Sequence, residues 1–426
     1  MLRLEDKKIK ETAYLGHLSC LLPIYIVPKA DYKSIYAVIA VKYGGACRKY
    51  ILNGKEYETP SGMAHFLEHK MFDMPDNSNA FYIFSSYGAD CNAFTSKDMT
   101  AYYFDATKKF NENLELLIRM VMTPYYTSDS VSKERGIIKQ EIKMVEDDPS
   151  YIAYKNLLLM LFGNSSVSEP IAGTCNSIER ITPELLYQCH RDFYQPTNMA
   201  IAIVGNVEPE KAFNVAEHCT SQYFHTPLPV QPKISADEQK TIEETNIRTE
   251  YASISAPQLL VGSSFAPQLQ GPSYIKQKLT AEFTLQLLFG PSSTFYAKNY
   301  SDDIIRSDFD SEVEYISRCS FIMLGGESRN PELLVDNILR TFNTAEELVS
   351  TFELERVKRS FIGSYLRSWE DFEEIGISYV ESEFYRYNPL EVYDISQSIK
   401  VADCLNFLYN DLNKNMAISI LMPRKE

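Results

Sequence analysis

The chain contains six histidines, and two of them stand four residues apart in the run His65-Phe66-Leu67-Glu68-His69. On a helix a step of four leaves two side chains about 40° apart on one face. Two imidazoles placed so can bind one zinc ion at about 2.0–2.1 Å. Glu68 is three residues from His65 and one from His69, on the same side, where a carboxylate can take a proton from water held at a metal. The order H-x-x-E-H inverts the commoner H-E-x-x-H arrangement. The competing explanation is two half-buried histidines on an amphipathic helix. With so few histidines in the chain, chance pairing accounts poorly for the spacing.

A catalytic zinc needs a third protein ligand and one open position. The best supplier is the helical stretch 128–146, which carries Glu134 and Glu141. Seven residues are close to two turns, so both carboxylates point the same way. Either could be the ligand, and the other could orient a histidine from behind. Lys133, Arg135, Lys139 and Lys143 surround them, so a charged, solvated face is the alternative. Spacing leaves these readings open.

The elements that must position these residues can be read along the chain. Residues 21–27 and 34–42 are apolar strand runs. A polar loop with Asn53 and Gly54 follows, and from Met63 the apolar spacing is helical. Residues 89–107 read as a hairpin turned at 96–98. Helices are expected over 111–122 and 128–146, stopped by Pro124 and by the run 147–149. Thr182 reads as an N-cap with Pro183 at the first helical position. Residues 199–204 form an apolar strand, and 209–219 a helix. The stretch 229–250 has few large apolar residues and reads as a linker. After it come strands near 251–265 and 310–326, helices at 274–289, 331–349 and 352–367, and a final strand at 416–422. The expected organisation is α+β with two domains of similar plan, 1–228 and 251–426. Gly325-Gly326 beside Glu327 reads as a turn. Trp369, in a helical run, reads as packing.

Composition narrows the field. At 426 residues the chain is too long for one core. Its 45% hydrophobic and 23% charged residues exclude a fibrous or long disordered chain. A net charge of −15 argues against nucleic-acid binding, which needs a basic face. No segment reaches the roughly 18 apolar residues a membrane span requires. The charged N-terminus is unlike a secretory signal. Eight scattered cysteines with no C-x-x-C read as reduced, buried thiols in a cytoplasm.

Four stretches carry a resemblance: GMAHFLEHKMF, NAFTSKDMTAYYFDAT, ERGIIKQEI and the segment 196–206. Together they resemble the pitrilysin and insulin-degrading-enzyme family, the inverzincins, and most of all its half-length members related to mitochondrial processing peptidase. The resemblance spans the N-terminal half. It implies a zinc metalloendopeptidase with two homologous domains, each a mainly antiparallel sheet packed against helices, forming half of a clamshell. It implies His65, His69 and Glu141 as metal ligands, Glu68 as general base and Glu134 as the supporting carboxylate. It implies that Asn92, Ala93, Phe94 and Thr95 lie on an edge strand that pairs with an extended substrate.

The sequence departs from the family where active members take an Arg, and a Tyr seven residues later, from the C-terminal domain. Those positions fall on Tyr300 and Ser307, with Arg306 out of register. The resemblance therefore implies a heterodimer in which a metal-free homologous subunit supplies the Arg and Tyr. Some such pairs remove leaders from ribosomally made peptides, and others are associated with modification of an elongation factor. The rival expectations are a catalytically silent scaffold and a peptide-binding subunit of the same fold.

Overall fold

The computed structural model describes residues 1–76, 78–223, 232–234, 246–268, 270–316, 319–412 and 416–424. Contacts group the chain into two compact units. Unit 1 comprises Met1–Ile142, Pro170–Asp237 and Leu366–Glu391; unit 2 comprises Lys143–Glu169, Glu238–Tyr365 and Val392–Glu426. This is a different cut from a division in chain order, because each unit takes a segment from the other half of the sequence. Within the stretch 229–250, residues 229–231 and 235–245 lie outside the described residues.

The strands of unit 1 are β1 (Leu2–Asp6), β2 (Glu11–His17), β3 (Pro23–Pro28), β4 (Ile35–Val41), β5 (Lys49–Leu52), β6 (Lys55–Glu58), β7 (Ala89–Thr95), β8 (Thr100–Ala106), β9 (Met199–Gly205) and β10 (Lys233–Ile234). Seven of them form one sheet in the order β1-β2-β3-β9-β4-β8-β7, and β10-β5-β6 form a small second sheet. Strands β4 and β9 are buried at every residue. They read as continuous apolar runs because both sheet faces are covered. Side chains alternate between faces. Ile24, Ile26, Ile39, Phe104 and Ile203 share a core with Leu114, Leu117 and Val121 of the helix 110–122. From the alternate positions, Tyr25 meets Tyr379 of the helix Phe372–Tyr385 with ring centroids 5.1 Å apart. Trp369 is buried against the same Tyr379.

The loop read around Asn53 and Gly54 is a tight hairpin between β5 and β6. Both residues have positive φ, 52° and 77°, the signature of a type I′ turn.

Unit 2 holds β11 (Ile247–Ala252), β12 (Gln258–Phe265), β13 (Asp310–Ile316), β14 (Cys319–Glu327) and β15 (Ala417–Pro423), in the order β11-β15-β12-β14-β13. This repeats the β3-β9-β4-β8-β7 part of unit 1 strand for strand. The first pair is parallel in both, β3 with β9 and β11 with β15, and the remaining neighbours are antiparallel. The α+β class with two domains of one plan is what the structure has.

Gly325-Gly326 is not a turn. Both glycines lie inside β14, opposite Leu260 and Leu259 of β12. A Cβ on Gly325 would sit 1.9 Å from the carbonyl oxygen of Leu259. The pair marks close backbone approach within a sheet, the other common meaning of strand glycine. No helix among the described residues is long and apolar enough to cross a membrane. All eight cysteines are free thiols.

Candidate metal centre

Two helices build the site, and the site residues of both lie in unit 1. Helix α1 (Met63–Lys70) follows Gly62, which enters it at φ 89°. A Cβ there would lie 2.6 Å from the carbonyl oxygen of Ala172, so the helix can start at this point only from glycine. Met63, Ala64, Phe66 and Leu67 bury the core side of α1. His65 and His69 fall on its other face, with ring centroids 4.6 Å apart. Helix α2 (Ala80–Tyr87) follows, then the β7–β8 hairpin, helix α3 (Phe110–Met122) and helix α4 (Ser128–Glu146).

Helix α4 buries Val131, Ile138 and Ile142, which leaves Glu134 and Glu141 half-buried beside that stripe. Arg135 ties it down, donating from Nε to the carbonyl of Ile178 at 3.3 Å and from Nη2 to that of Ile181 at 2.9 Å. Lys139 pairs with Glu179. These two cations are anchors for α4 rather than part of a loose solvated face.

Among the described residues, one group of side chains could hold a metal ion: His65, His69 and Glu141, with a donor atom from each within 4.8 Å of the others. His65 Nε2 lies 3.5 Å from Glu141 Oε1, and His69 Nε2 lies 3.7 Å from Glu141 Oε2. Donors around a tetrahedral zinc with bonds near 2.05 Å stand about 3.3 Å apart, so these separations suit the ion. The donor set, two imidazole nitrogens and a carboxylate oxygen, is also a usual one for zinc with an open fourth position.

Glu134 occupies a different place. Its Oε1 is 2.9 Å from His69 Nδ1. That bond turns His69 so that Nε2, not Nδ1, faces Glu141. The spacing argument left the two glutamates interchangeable; the geometry separates them. Burial alone would lower the His69 pKa, but the Glu134 bond and the charges of Glu68, Glu134 and Glu141 outweigh it and raise the value. Burial works in the opposite sense on Glu134, yet the bond and charge of His69 hold its carboxyl below the ordinary range. Glu141 is lowered chiefly by its bond with His65.

Glu68 is buried, at 8% exposure, and its Oε2 accepts a hydrogen bond from Thr95 Oγ1 at the end of β7. Asn92, Ala93, Phe94 and Thr95 all lie in β7, at the edge of the seven-stranded sheet. Asn92 is exposed and the other three are half-buried.

Two contacts escaped the sequence. One is the Thr95–Glu68 bond, which joins residues from separate elements. The other involves Lys70, whose position at the end of α1 suggests solvent. Lys70 is instead buried, at 2% exposure, between Asp73 and Glu134 Oε2, the latter 3.8 Å from its Nζ. No spacing rule signals the Thr95–Glu68 bond or the approach of Lys70 to Glu134; only the pairing of Lys70 with Asp73, three residues on, has a local signal.

In unit 2, Tyr300 is exposed at the end of the helix Thr294–Ser301 and its ring stacks on that of Tyr296. Ser307 is exposed too. Arg306 is tied to Asp303 at 2.6 Å, and Arg329 pairs with the same carboxylate.

Two half-buried histidines and a carboxylate, backed by a second carboxylate and laid beside a sheet edge, define the class of two-domain metallopeptidase folds. Residues 46–175 match Insulinase (Peptidase family M16), and residues 180–361 match the Peptidase M16 inactive domain. The chain belongs to peptidase family M16. It is 33% identical over 419 residues to a Bacillus subtilis (strain 168) protein named "Uncharacterized zinc protease YmfH", with 96% of each chain covered. Among solved structures, an M16-like peptidase from Alicyclobacillus acidocaldarius superposes with a TM-score of 0.90 at 28% identity, covering 99% of this chain and 100% of that one. The periplasmic protease PqqL from Escherichia coli shares the fold, with a TM-score of 0.74 at 18% identity; the match covers 99% of this chain and 48% of PqqL.

Proposed function

We propose that the protein is a zinc metalloendopeptidase that cleaves peptides, or unfolded and leader segments, held as an extended strand. The observation that carries this reading is the convergence of His65, His69 and Glu141 from two helices, with their donor atoms within 4.8 Å. These three residues would hold the zinc. When bound, the ion activates water and polarises the scissile carbonyl.

The chain's own residues would do the rest. Glu68 takes up the proton lost by the attacking water and returns it to the leaving amine. Glu134 holds His69 in the tautomer that leaves Nε2 free for the ion. The open edge of β7, at Asn92, Ala93, Phe94 and Thr95, bonds the substrate backbone, which makes few demands on side-chain sequence.

The oxyanion formed by attack needs further donors. Tyr300 and Ser307 stand where the family resemblance expects Arg and Tyr, and Arg306 is engaged by Asp303. On this reading the chain works in the cytoplasm as one half of a heterodimer, with a homologous subunit lacking the metal ligands that supplies both donors. One copy of the five-strand plan lies between β3 and β9 (Pro23–Gly205) and the other between β11 and β15 (Ile247–Pro423), which supports two domains close to 1–228 and 251–426 joined through 229–250, with β10 and the first residues of β11 falling in that stretch.

The same Tyr300 and Ser307 favour a second reading, a silent scaffold or peptide-binding subunit. One assay separates them. Bound zinc and cleavage of a mixed peptide library are measured for the chain alone and with a homologous subunit, beside Glu68→Gln. The peptidase reading expects about one zinc per chain and a fall in cleavage of about a thousandfold in the variant. Full zinc occupancy with no cleavage in any mixture would favour the binder; no zinc and no cleavage, the scaffold.

A further inference from the structure

We infer that Thr95 is a positioning residue that selects which oxygen of Glu68 handles the proton. The inference rests on the peptidase reading above and concerns the base of that reaction.

A carboxylate has two equivalent oxygens, and a general base works best when one of them is held on the reacting proton. Here the two are not equivalent. Glu68 Oε2 accepts the hydroxyl of Thr95, while Oε1 carries no hydrogen bond from any described residue. A threonine hydroxyl has one proton to give. The hydroxyl oxygen of Thr100, 3.3 Å from Thr95 Oγ1, is the competing acceptor, its own proton going to the buried carbonyl of Tyr43 at 2.9 Å; the charged Glu68 oxygen is much the nearer of the two and takes the Thr95 proton. Thr95 and Thr100 face each other in the β7–β8 register, so their hydroxyls form a fixed ladder. The Thr95 proton is therefore committed to Oε2, and Oε1 remains for chemistry.

The frame behind Thr95 is rigid. Ser96 donates its N–H to the carbonyl of Met99 at 2.8 Å, and its Oγ accepts from the N–H groups of Asp98 and Met99 at 3.2 and 3.1 Å. The carbonyls of Ser96 and Lys97 accept from the N–H groups of Gly45 and Ala46 at 2.9 and 2.8 Å. Thr95 is thus the last residue of the open sheet edge and the first of a fully bonded turn. Its hydroxyl fixes Glu68 relative to the strand on which a peptide would lie. This role differs from main-chain pairing with substrate, which any residue at position 95 could perform.

The test compares Thr95→Val, which keeps the shape and loses the hydroxyl, with Thr95→Ser, which keeps the hydroxyl. Both are measured in whichever assembly cleaves, the chain alone or with its homologous subunit. The inference expects kcat of Thr95→Val to fall about tenfold or more with KM within about twofold. Thr95→Ser should stay within about threefold of the parent. Zinc content should be the same in all three. In crystals of the metal-free proteins the Glu68 carboxylate should leave its position in the valine variant and keep it in the serine one. A raised KM with unchanged kcat would overturn the inference, since Thr95 would then act only in strand pairing. Equal loss in both variants would overturn it too, by placing the effect in packing of the methyl group. If the parent assembly binds no zinc and matches Glu68→Gln in cleavage, the peptidase reading itself fails and this inference falls with it.

Discussion

Between β4 and β7, unit 1 carries α1, with His65 and His69 half-buried on one face and Glu68 buried beside them. Between β12 and β13, at the matching place, unit 2 carries the helix Gly271–Phe289. That helix buries Phe283, Leu285, Leu288 and Phe289 and holds no histidine. All six histidines of the chain occur by residue 225, and none falls in a segment of unit 2. The edge strands differ as well. β7 offers Asn92-Ala93-Phe94-Thr95, while β13 sets Asp310, Glu312 and Glu314 at alternate positions along one face. Two copies of one five-strand plan thus differ on a helix face and at an edge, besides the strands β1, β2, β5, β6 and β10 added to unit 1. The frame fixes where a site can be built, and a handful of side chains decides whether one is.

The largest effect expected to break this symmetry is that of zinc itself. A ligand that binds only the native state stabilises it by about 4 kcal/mol at a thousandfold excess over Kd. Hydrogen exchange with and without a chelator should therefore show slower exchange in α1 and α4 when zinc is present. Amides of β12, β14 and β15 should exchange at the same rate in both conditions. Equal protection of both units would mean that the metal acts on the chain as a whole and that the comparison misplaces its effect.

Much of this contrast was legible in the residues, for physical reasons that also explain the failures. The His65–His69 step works because helix geometry converts spacing directly into facing. Glu134 and Glu141 were legible as a pair and not as individuals, since which carboxylate meets which ring nitrogen depends on how α4 packs. The hairpin at Asn53-Gly54 carried its turn signal, but its strands are short and flanked by Lys49, Lys55, Glu56 and Glu58, so the period of two was lost among charges. Gly325-Gly326 misled because glycine serves both turns and close strands, and only the partner strand tells them apart. Helix α5 (Pro149–Phe162) is apolar on most sides, so its helical state is plain. That it packs on β12 and β15 of unit 2 is a long-range fact with no local signal.

A second difference between the units follows from the histidines outside the metal centre. His190 is buried in unit 1, its Nε2 bonded to the carbonyl of Val121 at 2.8 Å. Burial depresses its pKa to about 4, although the Val121 bond works in the other direction. The unfolded chain has the ordinary value near 6.5 and so binds this proton more readily than the fold does. The contribution is fully present above about pH 6.5 and is lost as the pH falls towards 4, a change of about 3 kcal/mol. Unit 2 has no histidine to lose stability by this route. Urea unfolding at pH 7 and pH 5, followed by exchange in each unit, should show unit 1 weakening more. His190→Gln should flatten that dependence, and an unchanged slope in the variant would assign the acid sensitivity to other groups.

The smallest expected effect is the one that sharpens the comparison most, because it tests whether the site extends beyond its ligands. Glu134 touches His69 Nδ1, not the position where zinc would sit. If it only fills space on α4, then Glu134→Gln, which keeps the size and an acceptor oxygen, should bind zinc like the parent. If its charge orients His69 and strengthens the ring as a donor, affinity should fall about ten- to a hundredfold. The change also leaves the buried Lys70 with Asp73 as its remaining partner, so a loss of stability confined to unit 1 should accompany it. Zinc affinity by chelator competition reads the first effect, and exchange in α1 against β14 reads the second. Glu141→Gln sets the scale, since removing a ligand should cost more than removing its support. Were the two variants equally weak in zinc, Glu134 and Glu141 would share the metal, and the division of labour on α4 would have to be redrawn.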